Sequence, residues 1–149
     1  MIHIESKVAL PSDVRIDRLE RAALAVLKIQ GADEDVTLVL ADDDQLQQLN
    51  RDFLGKDAPT DVLSFPASET DPESGHRYLG DVIISVPCAG RQAQAAGHDL
   101  EAELLLLVVH GVLHLLGHDH AEVDDKARMW TVQSEVLEGF GLAHIQDPT

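Results

Sequence analysis

Cysteine and long apolar segments are scarce in this sequence. Of its 149 residues only Cys88 is a cysteine. A single cysteine excludes an intramolecular disulfide and a zinc site built from several thiolates, and it fits a reducing compartment. The longest apolar stretch, Leu104–Leu116 with its two histidines, is too short to span a bilayer, and the N-terminus lacks the shape of a signal peptide. We therefore expect a soluble cytoplasmic protein without a membrane partner, folded as one domain over residues 1–149.

Basic residues are also few. The chain has 11 Lys and Arg against 27 Asp and Glu, which gives a formal net charge of −16. Because phosphate binding normally depends on Lys and Arg, this balance disfavours a nucleic-acid ligand. A bound divalent cation and a local basic rim could still reverse the sign of the potential at one cleft.

Hydrophobic periodicity predicts an α+β domain with about four strands in one sheet and helices packed around a central apolar helix. The predicted strands are Met1–Leu10, Val36–Ala41, Val62–Phe65 and Tyr78–Val86. The predicted helices are Val14–Gln30, Gln45–Phe53, Ala89–Ala96, the apolar helix between a cap at Asp99 and a stop at Gly117, and Glu122–Glu138. The polar segment Ala67–Arg77 is typical of a surface loop.

The apolar helix carries the chemistry. His110 and His114 are four residues apart, so they share one helix face roughly 6 Å apart along the axis and can bind one metal ion. Gly117 suits the left-handed turn that ends a helix, and this turn would let His120 return as a third ligand. Three protein ligands and an open position are typical of a catalytic zinc. The alternative is that both residues are core histidines with hydrogen-bond partners. Without a partner, burying two imidazoles would cost on the order of several kcal/mol, as it does for other unsatisfied polar groups. Something must therefore bind them.

The spacing of the three histidines, with Gly117 between them, matches the zinc motif of the metzincin proteases. Those enzymes place a glutamate directly after the first histidine as the general base. This chain has Gly111 there. Because glycine cannot accept a proton, the sequence predicts a metal site without the peptidase mechanism.

Three blocks of the chain resemble the YbeY family of bacterial endoribonucleases instead. The first is His110–His120. The second is Asn50 followed by Gly55–Pro66, and the third is Leu79–Ser85. They occur in the order of the family, and the resemblance covers about residues 45–137.

The resemblance implies a zincin-like fold and a metal-dependent endoribonuclease that cuts single-stranded RNA. Such an enzyme would mature ribosomal RNA, notably the 3′ end of small-subunit 16S RNA, and would act in ribosome quality control. Its partners would be ribosomal RNA, the small ribosomal subunit and associated factors. His110, His114 and His120 would hold one Zn²⁺ per chain.

Two positions depart from the pattern of the family. Leu54 stands where the family often has an arginine that is thought to face the substrate, so Arg51 or Lys56 is the candidate to contact phosphate in its place. His118 stands where the family usually has tyrosine. It could compete with His120 for the metal, but the spacing favours His120.

The chemistry of a zinc site can be argued independently. Zinc lowers the pKa of its bound water to about 7 and polarises a phosphoryl oxygen. Asp81 is the candidate general base if its strand brings it to the cleft; otherwise it is an acid at a turn or strand edge. Asp119 would fix the orientation of an imidazole. Two other hypotheses remain: a metal hydrolase of peptides or small phosphoesters, and a non-catalytic ribosome-assembly factor with a structural metal.

Overall fold

The computed structural model describes residues 1–70, 72–73, 75–118, 123–142 and 145. They form four strands and five helices. The strands are β1 (Ile2–Ser6), β2 (Asp35–Ala41), β3 (Val62–Thr70) and β4 (Arg77–Ser85). The helices are α1 (Ile16–Ile29), α2 (Asp43–Leu54), α3 (Val86–Ala96), α4 (Leu100–Leu115) and α5 (Val123–Gly139). The predicted mixed α+β class is confirmed.

The four strands form one mixed sheet in the order β1-β2-β4-β3. β1, β2 and β4 run parallel, and β3 lies antiparallel to β4 at one edge. Ser64 of β3 pairs with Val82 of β4. This pairing fixes which β3 side chains point towards the helices on each side of the sheet, because successive side chains in a strand alternate between faces.

The two faces of the sheet are covered differently. One face presents Val36, Leu38, Leu40, Val82 and Ile84 to a large apolar core that includes residues of α1, α4 and α5. The opposite face carries a smaller cluster, in which Leu46 of α2 packs with three residues of the strands, Ala41, Leu63 and Ile83. α4 and α2 therefore lie on opposite faces of the sheet.

Side-chain caps define the start of α4 and of α2. The carboxylate of Asp99 accepts a hydrogen bond from the Ala102 amide at 2.8 Å, as the sequence predicts. Asp42 and Gln45 form a reciprocal capping box at the start of α2. The run of acids at 42–44 therefore serves the helix terminus, with Asp43 also bonded to Ser85 and Arg91. No described helix has the length and apolar character needed to cross a bilayer.

Three sequence predictions about element limits were wrong. The segment predicted as a loop from residue 67 to residue 77 belongs to the sheet at both ends, because β3 continues to Thr70 and β4 begins at Arg77. The pairing of Glu69 with Tyr78 and Thr70 with Arg77 depends on backbone hydrogen bonds, which polar side chains do not reveal. β1 ends at Ser6 instead of Leu10, and α3 begins at Val86, the predicted last residue of a strand, instead of at Ala89.

Candidate metal centre

After its first two residues, α4 reaches solvent only at His110 and His114. Every residue from Ala102 to Leu115 is buried except these two histidines, which are half-buried. The sequence predicted a buried pair, so their partial exposure corrects that expectation. From Ala102 onward, this apolar helix therefore exposes two imidazoles and nothing else, which makes them candidate nitrogen ligands.

The two rings approach each other closely. The Nε2 atoms of His110 and His114 are 3.0 Å apart, with the ring centroids 4.6 Å apart at an interplanar angle of 71°. Two nitrogens bound to one tetrahedral zinc at about 2.0–2.1 Å would be roughly 3.3 Å apart. The pair therefore fits a shared metal ion after a small adjustment of the side chains.

The turn after α4 has the predicted form. Gly117 has φ +93°, and the amide of His118 donates to the Leu113 carbonyl at 3.0 Å. This arrangement is that of a glycine-terminated helix. The predicted third ligand, His120, and its neighbour Asp119 lie outside the described residues. Within the described part of the chain, no three His, Cys, Asp or Glu side chains are placed to hold a metal ion.

His118, the competing candidate for third ligand, has another partner. Its Nε2 atom is 2.7 Å from the Oε1 atom of Gln30 at the end of α1. This hydrogen bond directs the ring of His118 towards α1. The contact is consistent with the prediction that His118 is not a ligand.

Sequence reasoning missed Gln133 on α5. Its Oε1 atom lies 2.9 Å from Nδ1 of His110, and the residue is only 3% exposed. The sequence did contain a signal for it. Gln133 shares the helical spacing of three apolar residues, and the structure buries all four: Met129, Gln133, Val136 and Leu137. Gln133 is a polar residue on an otherwise apolar helix face, in the same way that His110 and His114 are polar residues on the apolar helix α4.

Gly111 brings α4 into close contact with the sheet between the two histidines. A Cβ atom at this position would lie 2.5 Å from Cγ1 of Val82 and 3.3 Å from Oγ of Ser64. The Ser64 hydroxyl also donates to the Gly111 carbonyl at 2.9 Å. A glutamate at this position, as in the metzincins, would collide with Val82.

Asp81 is not brought to the histidines. It follows Gly80 on β4, and its neighbour Val82 faces α4, so Asp81 projects from the opposite face of the sheet. There it accepts a hydrogen bond from the Tyr78 hydroxyl, and both residues line a groove of about 590 Å³ beside α2. Burial, followed by the hydrogen bond to Asp81, raises the pKa of Tyr78 to about 12. Asp81 was predicted to be a general base on the condition that its strand brings it to the metal cleft. The structure does not meet this condition.

Arg51 and Lys56 lie at the end of α2 and in the loop that follows it. Arg51 is paired with Asp52 at 3.4 Å and with Asp57 at 4.0 Å. Lys56 is exposed and forms no ion pair with any described residue. Its loop is fixed by Asn50, whose side chain donates to the Ala58 carbonyl at 2.9 Å. Leu54, which replaces the expected arginine, is 55% exposed.

Comparisons with known proteins place the chain in one family. Residues 4–141 match the family model described as endoribonuclease YbeY. The chain is 45% identical over 145 residues to the endoribonuclease YbeY of Pelotomaculum thermopropionicum, covering 94% of this chain and 95% of that protein. It is 46% identical over 134 residues to that of Moorella thermoacetica, covering 85% of each chain. The solution structure of TM1509 from Thermotoga maritima superposes with a TM-score of 0.62 at 28% identity, covering 99% of this chain and 98% of that one.

Proposed function

Since this chain belongs to the YbeY endoribonuclease family, we propose that it cuts single-stranded RNA during ribosomal RNA processing, as a metal-dependent enzyme. The proposed substrate is the precursor of small-subunit RNA, notably the 3′ end of 16S RNA, and the same cleavage would serve ribosome quality control. Its partners would be the small ribosomal subunit and associated factors, and it would act in the cytoplasm.

The observation that supports the metal centre most strongly is the pair of half-buried imidazoles on α4. Their Nε2 atoms are 3.0 Å apart in a helix that exposes nothing else between Ala102 and Leu115. We assign His110, His114 and His120 as the ligands of one Zn²⁺ per chain, with Asp119 fixing the orientation of an imidazole. When bound, the ion would supply a Lewis acid and a hydroxide at neutral pH.

The protein would supply positive charge for RNA binding from the end of α2 and the loop that follows it. Lys56 is the preferred residue to hold an RNA phosphate, because it is exposed and has no described ion-pair partner. Arg51 is the second candidate, although it must first leave Asp52 and Asp57. A catalytic role for either cation requires it to reach the reacting phosphate, around the edge of the sheet from the face that α2 covers. We leave Asp81 out of the proposed site, because it projects from the face of the sheet opposite the histidines.

We further propose that the chain is a single zincin-like domain organised around α4. Two features support this assignment. α4 packs on a mixed sheet whose edge strand, β3, is the antiparallel one, and the Ser64 hydroxyl of this strand is bonded to the carbonyl of Gly111 between the two histidines.

The experiment combines metal analysis with RNA cleavage. Wild type should bind about one zinc per chain and cleave single-stranded RNA, whereas His114→Ala should lose both properties. His120→Ala should lose zinc as well. His118→Ala is the matched control, since it removes a nearby imidazole that is bonded to Gln30, and it should keep its zinc.

The same assay separates the alternatives. Cleavage of peptides or small phosphodiesters but not RNA would indicate a metal hydrolase of another class. If highly purified wild-type protein bound zinc but cut no RNA, and His114→Ala only melted earlier, the metal would be structural in an assembly factor. Zinc loss in His118→Ala and not in His120→Ala would contradict the assignment of the third ligand.

A further inference from the structure

A glutamine occupies the apolar face of α5 that packs on α4. Gln133 is 3% exposed, and its neighbours one turn away are Met129 at 1% and Leu137 at 2%. Burying an amide among apolar side chains is unfavourable unless the amide is hydrogen-bonded. A glutamine at this position therefore needs a hydrogen-bond partner for its amide.

That contact reaches the ring nitrogen of His110 that points away from His114. The Nδ1 atom of His110 is 2.9 Å from Oε1 of Gln133, while its Nε2 atom is 3.0 Å from Nε2 of His114. The two nitrogens of a neutral imidazole differ, because one carries the proton and the other a lone pair. A carbonyl oxygen only accepts hydrogen bonds, so it favours the form in which Nδ1 carries the proton.

This form is the one that binding a metal through Nε2 requires. With the proton held at Nδ1, the lone pair of His110 lies on Nε2, on the side where the two imidazoles meet. The hydrogen bond also limits rotation of the ring. Hydrogen bonds to the distal nitrogen of a metal-binding histidine commonly fix its tautomer and orientation in this way.

We propose that Gln133 is a positioning residue for the metal centre, which holds His110 in the Nδ1–H tautomer with Nε2 directed at the ion. The inference rests on the proposed function, because it assumes that His110 is a ligand. It assigns α5 a role in the site that the histidine motif on α4 does not contain. Gln133 touches neither RNA nor the ion in this arrangement.

Two substitutions at Gln133 and one beside it test the proposal. Gln133→Met keeps an unbranched side chain of similar length but removes the acceptor, and it should weaken zinc binding by about 10- to 100-fold. Gln133→Glu keeps an acceptor and should restore affinity to within a few-fold of wild type. Met129→Ala removes packing from the same face of α5 and leaves the acceptor in place, so its zinc affinity should remain near that of wild type.

Zinc affinity is measured by competition with a chelator, and the tautomer of His110 by ¹⁵N NMR of the imidazole nitrogens in the metal-free and zinc-loaded protein. We expect the proton on Nδ1 in both states of wild type. A proton on Nε2 in the metal-free protein would overturn the proposal even if Gln133→Met failed to fold.

The outcomes distinguish this inference from the proposed function. If wild type binds no zinc, the metal centre itself is wrong, and the role of Gln133 falls with it. If wild type binds zinc and Gln133→Met binds it equally well, only the role of Gln133 is overturned. Equal weakening in Gln133→Met and Met129→Ala would show that packing, and not the acceptor, supports the site, and would likewise overturn it.

Discussion

Gly111 determines how closely α4 can approach the sheet beside the two histidines. The space that a side chain would need is filled by the methyl groups of Val82, with Cγ1 2.5 Å from the position of a Cβ atom. Val82 is itself fully buried in the centre of the sheet, so it has no room to move. Close packing of α4 on the sheet therefore requires glycine at this position. The space beside Val82 is too small for the glutamate that the protease motif has there.

Replacing Gly111 with alanine should destabilise the protein although alanine favours helices. Overpacking of a dense core costs about 1–3 kcal/mol, which exceeds the helix-propensity gain of about 1 kcal/mol. Gly90 on α3 is the matched control, because a Cβ atom there would meet nothing within 4 Å. Gly90→Ala should raise the free energy of unfolding, measured by urea denaturation. Equal stabilisation by both substitutions would contradict the packing argument.

Individual site residues differ in how far the sequence could predict them. His110 and His114 lie four residues apart on one helix, so local geometry alone predicts their convergence. The contact of His110 with Gln133 spans 23 residues and depends on how α5 packs on α4, which no local pattern specifies. Asp81 lies in a nearly continuous apolar strand, where alternation does not reveal which face of the sheet a residue occupies.

β2 and β4 are joined by side chains as well as by their backbone ladder. The Tyr78 hydroxyl of β4 is 2.7 Å from the Thr37 hydroxyl of β2 and also donates to the carboxylate of Asp81. Burial is the larger cause, and the carboxylate the second, of the rise in the pKa of Tyr78 to about 12. The phenol must therefore stay protonated to keep its hydrogen bond to Asp81, whereas the contact with Thr37 acts in the opposite direction and lowers the pKa.

The alkaline stability of the protein should reflect this tyrosine. A pKa raised from 10.0 to about 12 on folding stabilises the folded state below pH 10 and loses this contribution as the pH rises from 10 to 12. Because Tyr78 is the only tyrosine in the sequence, phenolate absorbance reports its ionisation directly. We expect a midpoint near 12 in the native protein and near 10 in denaturant, with Asp81→Asn lowering the native value. A native midpoint near 10 would show that the hydroxyl is not held as described.

Helix ends were easier to predict than strand lengths. Asp99 and Gly97 mark the boundary between α3 and α4 by chemistry that is legible in the sequence, a capping carboxylate and a glycine with φ +78°. The outer part of β3 has no such signal. Glu69 and Thr70 pair with β4 after an irregularity in the register that follows Pro66. The polar composition of the segment does not reveal this pairing and suggested a loop.

The charge of the whole molecule opposes its proposed substrate. A net charge of −16 repels RNA phosphates, yet salt screens exposed charges beyond about 10 Å at 0.1 M ionic strength. Above this concentration, affinity should depend on the few cations that touch phosphate. Release of counterions from the RNA then makes binding weaken as salt rises.

Lys56 provides the test of this local view. Log affinity for single-stranded RNA should fall linearly with log salt above about 0.1 M, and Lys56→Ala should reduce the magnitude of the slope by about 0.7, the value for one phosphate contact on a single strand. Arg21→Ala is the control, because Arg21 is an exposed cation on α1 that pairs with Asp17. Its slope should match wild type. If both variants reduce the slope equally, long-range charge and not a local contact at Lys56 governs RNA binding. If the wild-type affinity does not vary with salt, no basic contact to phosphate contributes to binding.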